Sequence, residues 1–288
     1  MAEAFIVGAI RTAGGRKNGR LSKVHPADLG GKVLDGLMAQ VKLDPALVED
    51  VVFGCVSQSG AQAGNIGRSA VLSSAFPESV PGTSVDRQCG SGQQAIHFAV
   101  QGVLSGTQDL VIGGGVENMS MVPIGSNIID GLKAGHGQPW NSERMSARYP
   151  GVKFSQFAGA ELLAKQHGLT REELDRFAYE SHMRAAHATK EGRFKGQILP
   201  LQVQTEDGKP LVHDGDEGIR ADAQYEKIHA LQALVPGGLI TAGTSSQICD
   251  GAAAVLIASE RAVKEHKLTP RARIHTLSVV GSDPVVML

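Results

Sequence analysis

Continuous apolar runs set between stretches of helical periodicity are what most constrain this chain. Phe5-Ile6-Val7-Gly8-Ala9-Ile10, Val51-Val52-Phe53-Gly54-Cys55-Val56, Leu110-Val111-Ile112 and Ala252-Ala253-Ala254-Val255-Leu256-Ile257-Ala258 carry no polar alternate. Each therefore reads as a strand covered on both faces. Between the first two, Pro26 suits a first helical turn, and Leu29, Val33, Leu34, Leu37, Met38 and Val41 trace one helical face. Residues 66–73 read as a second helix, residues 83–88 as a further strand, and Ala95, Ile96, Ala99, Val100, Val103 and Leu104 as a third helix. Strands alternating with helices predict an α/β layered fold on a largely parallel sheet.

At 288 residues the chain has room for two domains, or for one large domain with an insertion. Charged residues make up 20% and the formal net charge is -1, which offers no basic surface for nucleic acid. No stretch reaches the length of a membrane span. The first apolar run is followed, not preceded, by basic residues, as suits a strand and not a signal peptide. Cysteines at 55, 89 and 249 form neither a Cys-x-x-Cys pair nor an even-numbered framework. Neither a zinc site nor a disulfide scaffold is indicated, and a reducing compartment, the cytoplasm, fits best. Glycine stands out, with 36 residues against a background of about 7%, and its spread suggests many tight strand–helix turns.

The stretch Ser84-Val85-Asp86-Arg87-Gln88-Cys89-Gly90-Ser91-Gly92 reads as a strand turning abruptly into a helix, with a cysteine at the corner. Backbone N–H groups at a helix start favour a thiolate and can hold an anion developing on a bound carbonyl, so Cys89 is a candidate nucleophile. A buried structural cysteine in a Gly-rich turn is the other reading. Gly113-Gly114-Gly115, taken to end the strand from 109, contributes no side-chain packing. Close approach by another backbone is favoured there over ligand contact.

From 119 to 246 the texture changes to more charge and fewer apolar runs, which reads as an inserted unit. Thr170-Arg171-Glu172-Glu173 has the form of a capping box, with Leu174, Phe177, Ala178, Ser181 and Ala185 facing one way, and residues 159–167 read as a helix packing against it. Beyond Phe194 the expectation is strand fragments and loops. Residues 260–267 read as a short helix, and 272–280 as the start of something new that leaves apolar surface along 274–280 exposed.

Val85-Asp86-Arg87-Gln88-Cys89-Gly90-Ser91-Gly92, Gly113-Gly114-Gly115-Val116-Glu117-Asn118-Met119-Ser120 and Cys249-Asp250-Gly251-Ala252-Ala253-Ala254, in this order and spacing, resemble the N-terminal half of the thiolases. That is the family of acetyl-CoA acetyltransferases and 3-ketoacyl-CoA thiolases. The opening Ile10-Arg11-Thr12 and the late Val279-Val280-Gly281-Ser282-Asp283-Pro284 also resemble it. The resemblance implies a layered αβα fold in three parts. Residues 1–118 and 247–268 would form a split N-terminal domain, 119–246 a loop domain over a coenzyme A channel, and 269–288 only the start of a second domain and its sheet. It implies that Cys89 is the acylated nucleophile, that Arg220, Ala242 and Ser246 contact coenzyme A, and that Cys249 is structural. Coenzyme A is then a substrate and no cofactor is permanently bound. The implied partners are acyl-CoA and further copies of the chain, as a homodimer or homotetramer.

Two departures from the family pattern bear on function. Where acetyl-specific thiolases carry His-Met-Gly, this chain has Ser155-Gln156-Phe157-Ala158, which leans toward a bulkier or different 3-ketoacyl group. Thiolases also draw an Asn-Glu-Ala-Phe motif, a Gly-His-Pro histidine base and a second cysteine from a second domain, and this sequence has no counterpart to them. General acid–base help is worth about 10²–10⁴-fold per group, so a chain without both is expected to turn over little by itself. A short form that binds acyl-CoA or pairs with another chain, and a decarboxylating condensing enzyme, are the alternative expectations.

Overall fold

The computed structural model describes residues 3–204 and 207–288. In chain order it contains β1 (Ala4–Thr12), β2 (Gly15–Arg16), α1 (Pro26–Val41), β3 (Asp50–Gly54), α2 (Ile66–Leu72), β4 (Gly82–Val85), α3 (Ser91–Leu104) and β5 (Leu110–Asn118). Next come α4 (Ser126–Lys133), α5 (Glu143–Arg148), α6 (Gln156–Gln166), α7 (Arg171–Lys190), β6 (Ile198–Leu199), β7 (Leu201–Gln204) and β8 (Pro210–His213). The last elements are α8 (Tyr225–His229), β9 (Cys249–Ser259), α9 (Glu260–Glu265) and β10 (Ala272–Arg273). Two compact units result. One comprises Met1–Asn127, Phe194–Gly218 and Ile248–Leu277, the other Ile128–Arg193, Ile219–Gln247 and Ser278–Leu288.

The first unit is built on an eight-stranded sheet in the order β10-β1-β9-β5-β3-β4, with β2 beside β9 and β6 beside β1. Of the five long strands, β1, β3, β4 and β5 run one way and β9 runs against them. The sheet is thus mostly parallel, as read from sequence, with β9 running against its neighbours. The reason lies in the register: Asn118 at the end of β5 sits opposite Asp250 at the start of β9. The two strands pair as the arms of a hairpin whose connection is the long stretch between them.

Adjacent residues in each strand feed opposite faces. Val51, Phe53, Ile112 and Leu256 join the core under α1 and α2, with Leu29, Val33, Leu34, Leu37, Ile66 and Ala70. Val52, Val111 and Ile257 join the core under α3, with Ala95, Ala99, Val100 and Val103. Unbroken apolar runs are what a sheet sandwiched between helices requires. Helix α1 begins as the sequence indicates, with Pro26 in its first turn and the His25 ring accepting from the Ala27 N–H at 3.2 Å.

At two places helix α3 lies so close to the sheet that no side chain fits beneath it. A Cβ on Gly113 would come within 2.6 Å of the Ile96 Cα, and one on Gly54 within 2.4 Å of the Gly92 N. Close backbone approach is therefore what the glycines at these places permit. The strand does not end at the triple glycine: β5 passes through it to Asn118, held by β3 on one side and β9 on the other.

Of the stretch 119–246, residues 194–218 lie in the first unit. Arg11 reaches Asp216 with two hydrogen bonds of 2.7 and 3.0 Å, and the Gly14 N–H donates to the same carboxylate at 2.7 Å. Strand β6 pairs parallel with the end of β1, and β7 and β8 form a small second sheet. Thr205 and Glu206, within the expected strand-and-loop region, lie outside the described residues. Residues 272–273 form an edge strand beside β1, and Ile274 and Leu277 pack, half-buried, against the α3 core. Val279 and Val280 are exposed.

In the second unit α7 opens with the expected capping box, Thr170 and Glu173 each bonding the other's backbone. The inward face differs from the one read in sequence. Phe177 is 73% exposed, while Asp175 and Ala178 are buried. Asp175 is drawn in by Arg171 at 2.6 Å and by His229 at 2.9 Å, and Arg171 also donates to the carbonyls of His229, the last residue of α8, and of Leu231 just after it. Helix α6 is tied down by Glu161, whose carboxylate accepts from the N–H groups of Leu239 and Ile240.

Two outcomes follow for stability. Gly113→Ala forces a methyl group into the α3 backbone and is expected to cost about 1–3 kcal/mol, read as a lowered thermal midpoint with no loss in an exposed control such as Gly196→Ala, where the added methyl has open space. Burial opposes ionisation of Asp216, but Arg11 and the Gly14 N–H outweigh it, and its pKa is lowered. Its contribution is then fully present above about pH 4, the ordinary carboxyl value, and is lost as pH falls through the lowered one. Thermal unfolding followed from pH 7 to pH 2 is expected to show this acid-side loss in the parent and a smaller one in Arg11→Ala.

Candidate active site

Cys89 sits where β4 gives way to α3, immediately before the helix cap Gly90, and is exposed. The corner is made by Gln88, whose φ of 49° places a residue with a side chain in the left-handed region. The Gln88 N–H donates to Asp86 Oδ1 at 2.7 Å. The buried Ser91 Oγ accepts from the Arg87 N–H at 2.8 Å and donates to the Gln88 carbonyl at 2.5 Å. Gly90 and Ser91 close the turn with N–H bonds to the carbonyls of Arg87 and Gln88 at 3.1 and 3.0 Å. The thiol thus stands at the positive end of a 14-residue helix seated on the sheet.

The motif at 113–120 contributes structure behind this corner. Glu117 accepts from the N–H groups of Val56 and Ser57 at 2.8 and 3.0 Å and from Gln62 at 2.9 Å, pinning the loop after β3. Asn118, fully buried, donates to the carbonyls of Leu21 and Val24 and accepts from the Met121 N–H. Ser120 donates twice to Asp250, through its N–H at 2.9 Å and its hydroxyl at 2.7 Å. Burial lifts the Asp250 carboxyl above its usual range in spite of those bonds. None of these polar anchors was read from the sequence, although Glu117 and Asn118 directly after an apolar strand are the visible sign of them.

The other two cysteines differ from Cys89. Cys55 is buried, and burial, followed by the Glu117 carboxylate, pushes its thiol far up. Cys249, expected to be structural, is exposed at the first position of β9, and desolvation and then Asp250 raise its thiol.

Arg220, Ala242 and Ser246 lie in the second unit. All three are exposed. The Arg220 N–H donates to His182 Nδ1 of α7 at 3.3 Å, and the short helical turn Ala242–Thr244 packs on the same helix. Burial and then the Arg220 charge lower the His182 pKa, which suits a ring nitrogen that accepts. Ser155 and Phe157, where the chain departs from the acetyl-specific pattern, line a groove of about 1060 Å³ in this unit, together with Leu162, Leu234, Val235 and Leu239. Among the described residues no cluster of His, Cys, Asp and Glu is arranged to hold a metal ion, and no helix is long and apolar enough to cross a membrane.

Residues 4–261 match the family model described as the thiolase N-terminal domain. The chain is 49% identical over 289 residues to a steroid 3-ketoacyl-CoA thiolase of Mycobacterium tuberculosis, covering 100% of this chain and 70% of that protein. It is 39% identical over 296 residues to a β-ketoadipyl-CoA thiolase of Acinetobacter baylyi, covering 100% and 74%. Its fold superposes on the crystal structure of the Bacillus anthracis acetyl-CoA acetyltransferase with a TM-score of 0.87 at 34% identity, covering 100% of this chain and 73% of that one.

Exposure and the two raised thiols set an order of reactivity. Iodoacetamide at neutral pH is expected to alkylate Cys89 first, then Cys249, with Cys55 protected in the folded protein. Peptide mapping by mass spectrometry reads the order, and equal labelling of all three would contradict it.

Proposed function

The chain belongs to the thiolase family, and from that premise we propose that Cys89 is its acyl-carrying nucleophile in coenzyme A-dependent acyl transfer. The single observation that carries the reading is the exposed Cys89 thiol at a tight corner before the N-terminus of α3. In the degradative direction the Cys89 thiolate attacks the 3-keto carbon of a 3-ketoacyl-CoA. The C2–C3 bond breaks, its electron pair leaves with the acetyl-CoA enolate, and protonation of that enolate gives acetyl-CoA. The acyl group remains as a thioester on Cys89. The thiolate of a second coenzyme A then attacks this thioester, releasing acyl-CoA and restoring the Cys89 thiolate. One difficult transfer is split into two easier ones, and backbone N–H groups at the corner are suited to hold the oxyanion in each. The reverse sequence is the condensation of acyl-CoA with acetyl-CoA.

In the same reading the split domain 1–118 and 247–268 carries the nucleophile. Within the insertion 119–246, the residues of the second unit offer Arg220, Ala242 and Ser246 to coenzyme A, and residues 269–288 lead toward the next domain. The 3-ketoacyl group it takes is bulkier than acetoacetyl or of a different kind. Supporting this are the apolar groove bearing Phe157, Leu162, Leu234 and Val235 in place of the acetyl-specific pattern, and the relative at 49% identity, a steroid 3-ketoacyl-CoA thiolase. A cytoplasmic homodimer or homotetramer belongs to this reading as well.

The test follows the first half-reaction by intact mass. Incubation with a bulky 3-ketoacyl-CoA is expected to add the corresponding acyl group to the 30.2 kDa chain, and Cys89→Ala is expected to add none. Acetoacetyl-CoA is expected to acylate at least about tenfold more slowly, a difference of roughly 1.4 kcal/mol in barrier. An adduct that survives in Cys89→Ala would remove the nucleophile assignment, and faster acetyl transfer would remove the bulky-acyl reading.

A further inference from the structure

The Cys89 corner contains a backbone arrangement that a glutamine does not adopt by its own preference. At φ 49° Gln88 lies in the left-handed region, which a glutamine side chain does nothing locally to favour. Such a residue persists only where its surroundings over-determine it. Here the restraints are explicit and come from both sides. Asp86 accepts the Gln88 N–H at 2.7 Å from the strand side. Ser91 takes the Gln88 carbonyl from the helix side at 2.5 Å and the Arg87 N–H at 2.8 Å.

Ser91 is not an ordinary helix cap. The cap position is Gly90, which makes no side-chain cap bond, and the Ser91 hydroxyl points back to residues 87 and 88 instead. It is 3% exposed, so water does not compete for those bonds. Below it, the Cβ-free Gly54 lets the start of α3 rest on the end of β3. The corner therefore has a rigid base and two polar clamps, with Cys89 directly after the clamped residue.

We propose that Asp86 and Ser91 are positioning residues that hold Gln88 left-handed and thereby fix the direction in which the Cys89 thiol leaves the corner. The proposal rests on the reading of Cys89 as nucleophile for its functional meaning, while its geometric content stands independently. Neither residue touches the reacting atoms; both act through the backbone of residue 88.

Crystal structures of Ser91→Ala and Asp86→Ala test the geometry without reference to activity. Gln88 is expected to leave the left-handed region in at least one of them, carrying Cys89 with it; unchanged φ at 88 in both would overturn the proposal. Acylation by 3-ketoacyl-CoA tests the consequence. Each alanine variant is expected to acylate about 10- to 100-fold more slowly, the usual cost of misplacing a reacting group by about an ångström. Alkylation by iodoacetamide, which needs no alignment, is expected to change less than about threefold, the small reagent being free to meet the thiol from any side. Asp86→Asn keeps an oxygen acceptor for the Gln88 N–H and is expected to restore acylation. A fall in thermal stability with acylation unchanged, or failure of Asp86→Asn to restore it, would overturn the proposal. A parent protein that takes no acyl group at all would instead remove the proposed function, and the two crystal structures would still decide the geometry.

Discussion

Everything at the Cys89 corner depends on how near helix α3 comes to the sheet. The glycines at 54 and 113 remove the side chains that would otherwise hold the helix off, and main-chain atoms pass where a methyl group would not fit. That contact sets the height of the helix start above the strand ends. It also explains why the residues that approach the site most closely carry so little chemistry of their own. The apolar packing of Ala95, Ala99, Val100 and Val103 against Val52, Val111 and Ile257 then holds the helix there, each small side chain suited to a shallow gap.

Electrostatics are arranged around this frame rather than within it. Glu117 and Asp250, both beside the strand ends, spend their carboxylate oxygens on backbone N–H groups and on Gln62 and Ser120. Burial, and then the Glu117 carboxylate beside it, keeps the Cys55 thiol protonated. The second unit uses the same device on a smaller scale, with Asp175 held between Arg171 and His229. In both units a buried acid organises a loop, consistent with the cost of leaving such a group unpaired.

What the sequence made legible was local. Helix α1 and the capping box of α7 declare themselves through Pro26, the apolar face from Leu29 to Val41 and the pair Thr170 and Glu173, because those signals act within a few residues. The cysteine corner was legible for the same reason, from Cys89 and the small residues after it. The return of 194–218 to the first unit was not, since it depends on Asp216 meeting Arg11 across two hundred residues. The direction of β9 was hidden in the same way, its neighbours being fixed by register with β1 and β5. Phe177 was misplaced because a helical apolar face takes no account of an acid that finds partners in Arg171 and His229. The bonds of Asp86 and Ser91 around Gln88 were invisible because they depend on the backbone angle of that residue. Arg220, Ala242 and Ser246 came only from resemblance, and nothing in their own spacing singles them out.

The place of β9 between β1 and β5 governs how the molecule can come into being. β1 and β5 do not touch one another in the sheet; each pairs with a strand that begins only at Cys249. Until that strand emerges during synthesis, the nascent chain carries two long edges without their central partner, the situation in which strands seek other chains. Closing the sheet then requires contacts separated by well over a hundred residues, and such topologies fold slowly. The alanine-rich β9 works as a late-arriving keystone, and until it arrives the edges of β1 and β5 that face it stay open.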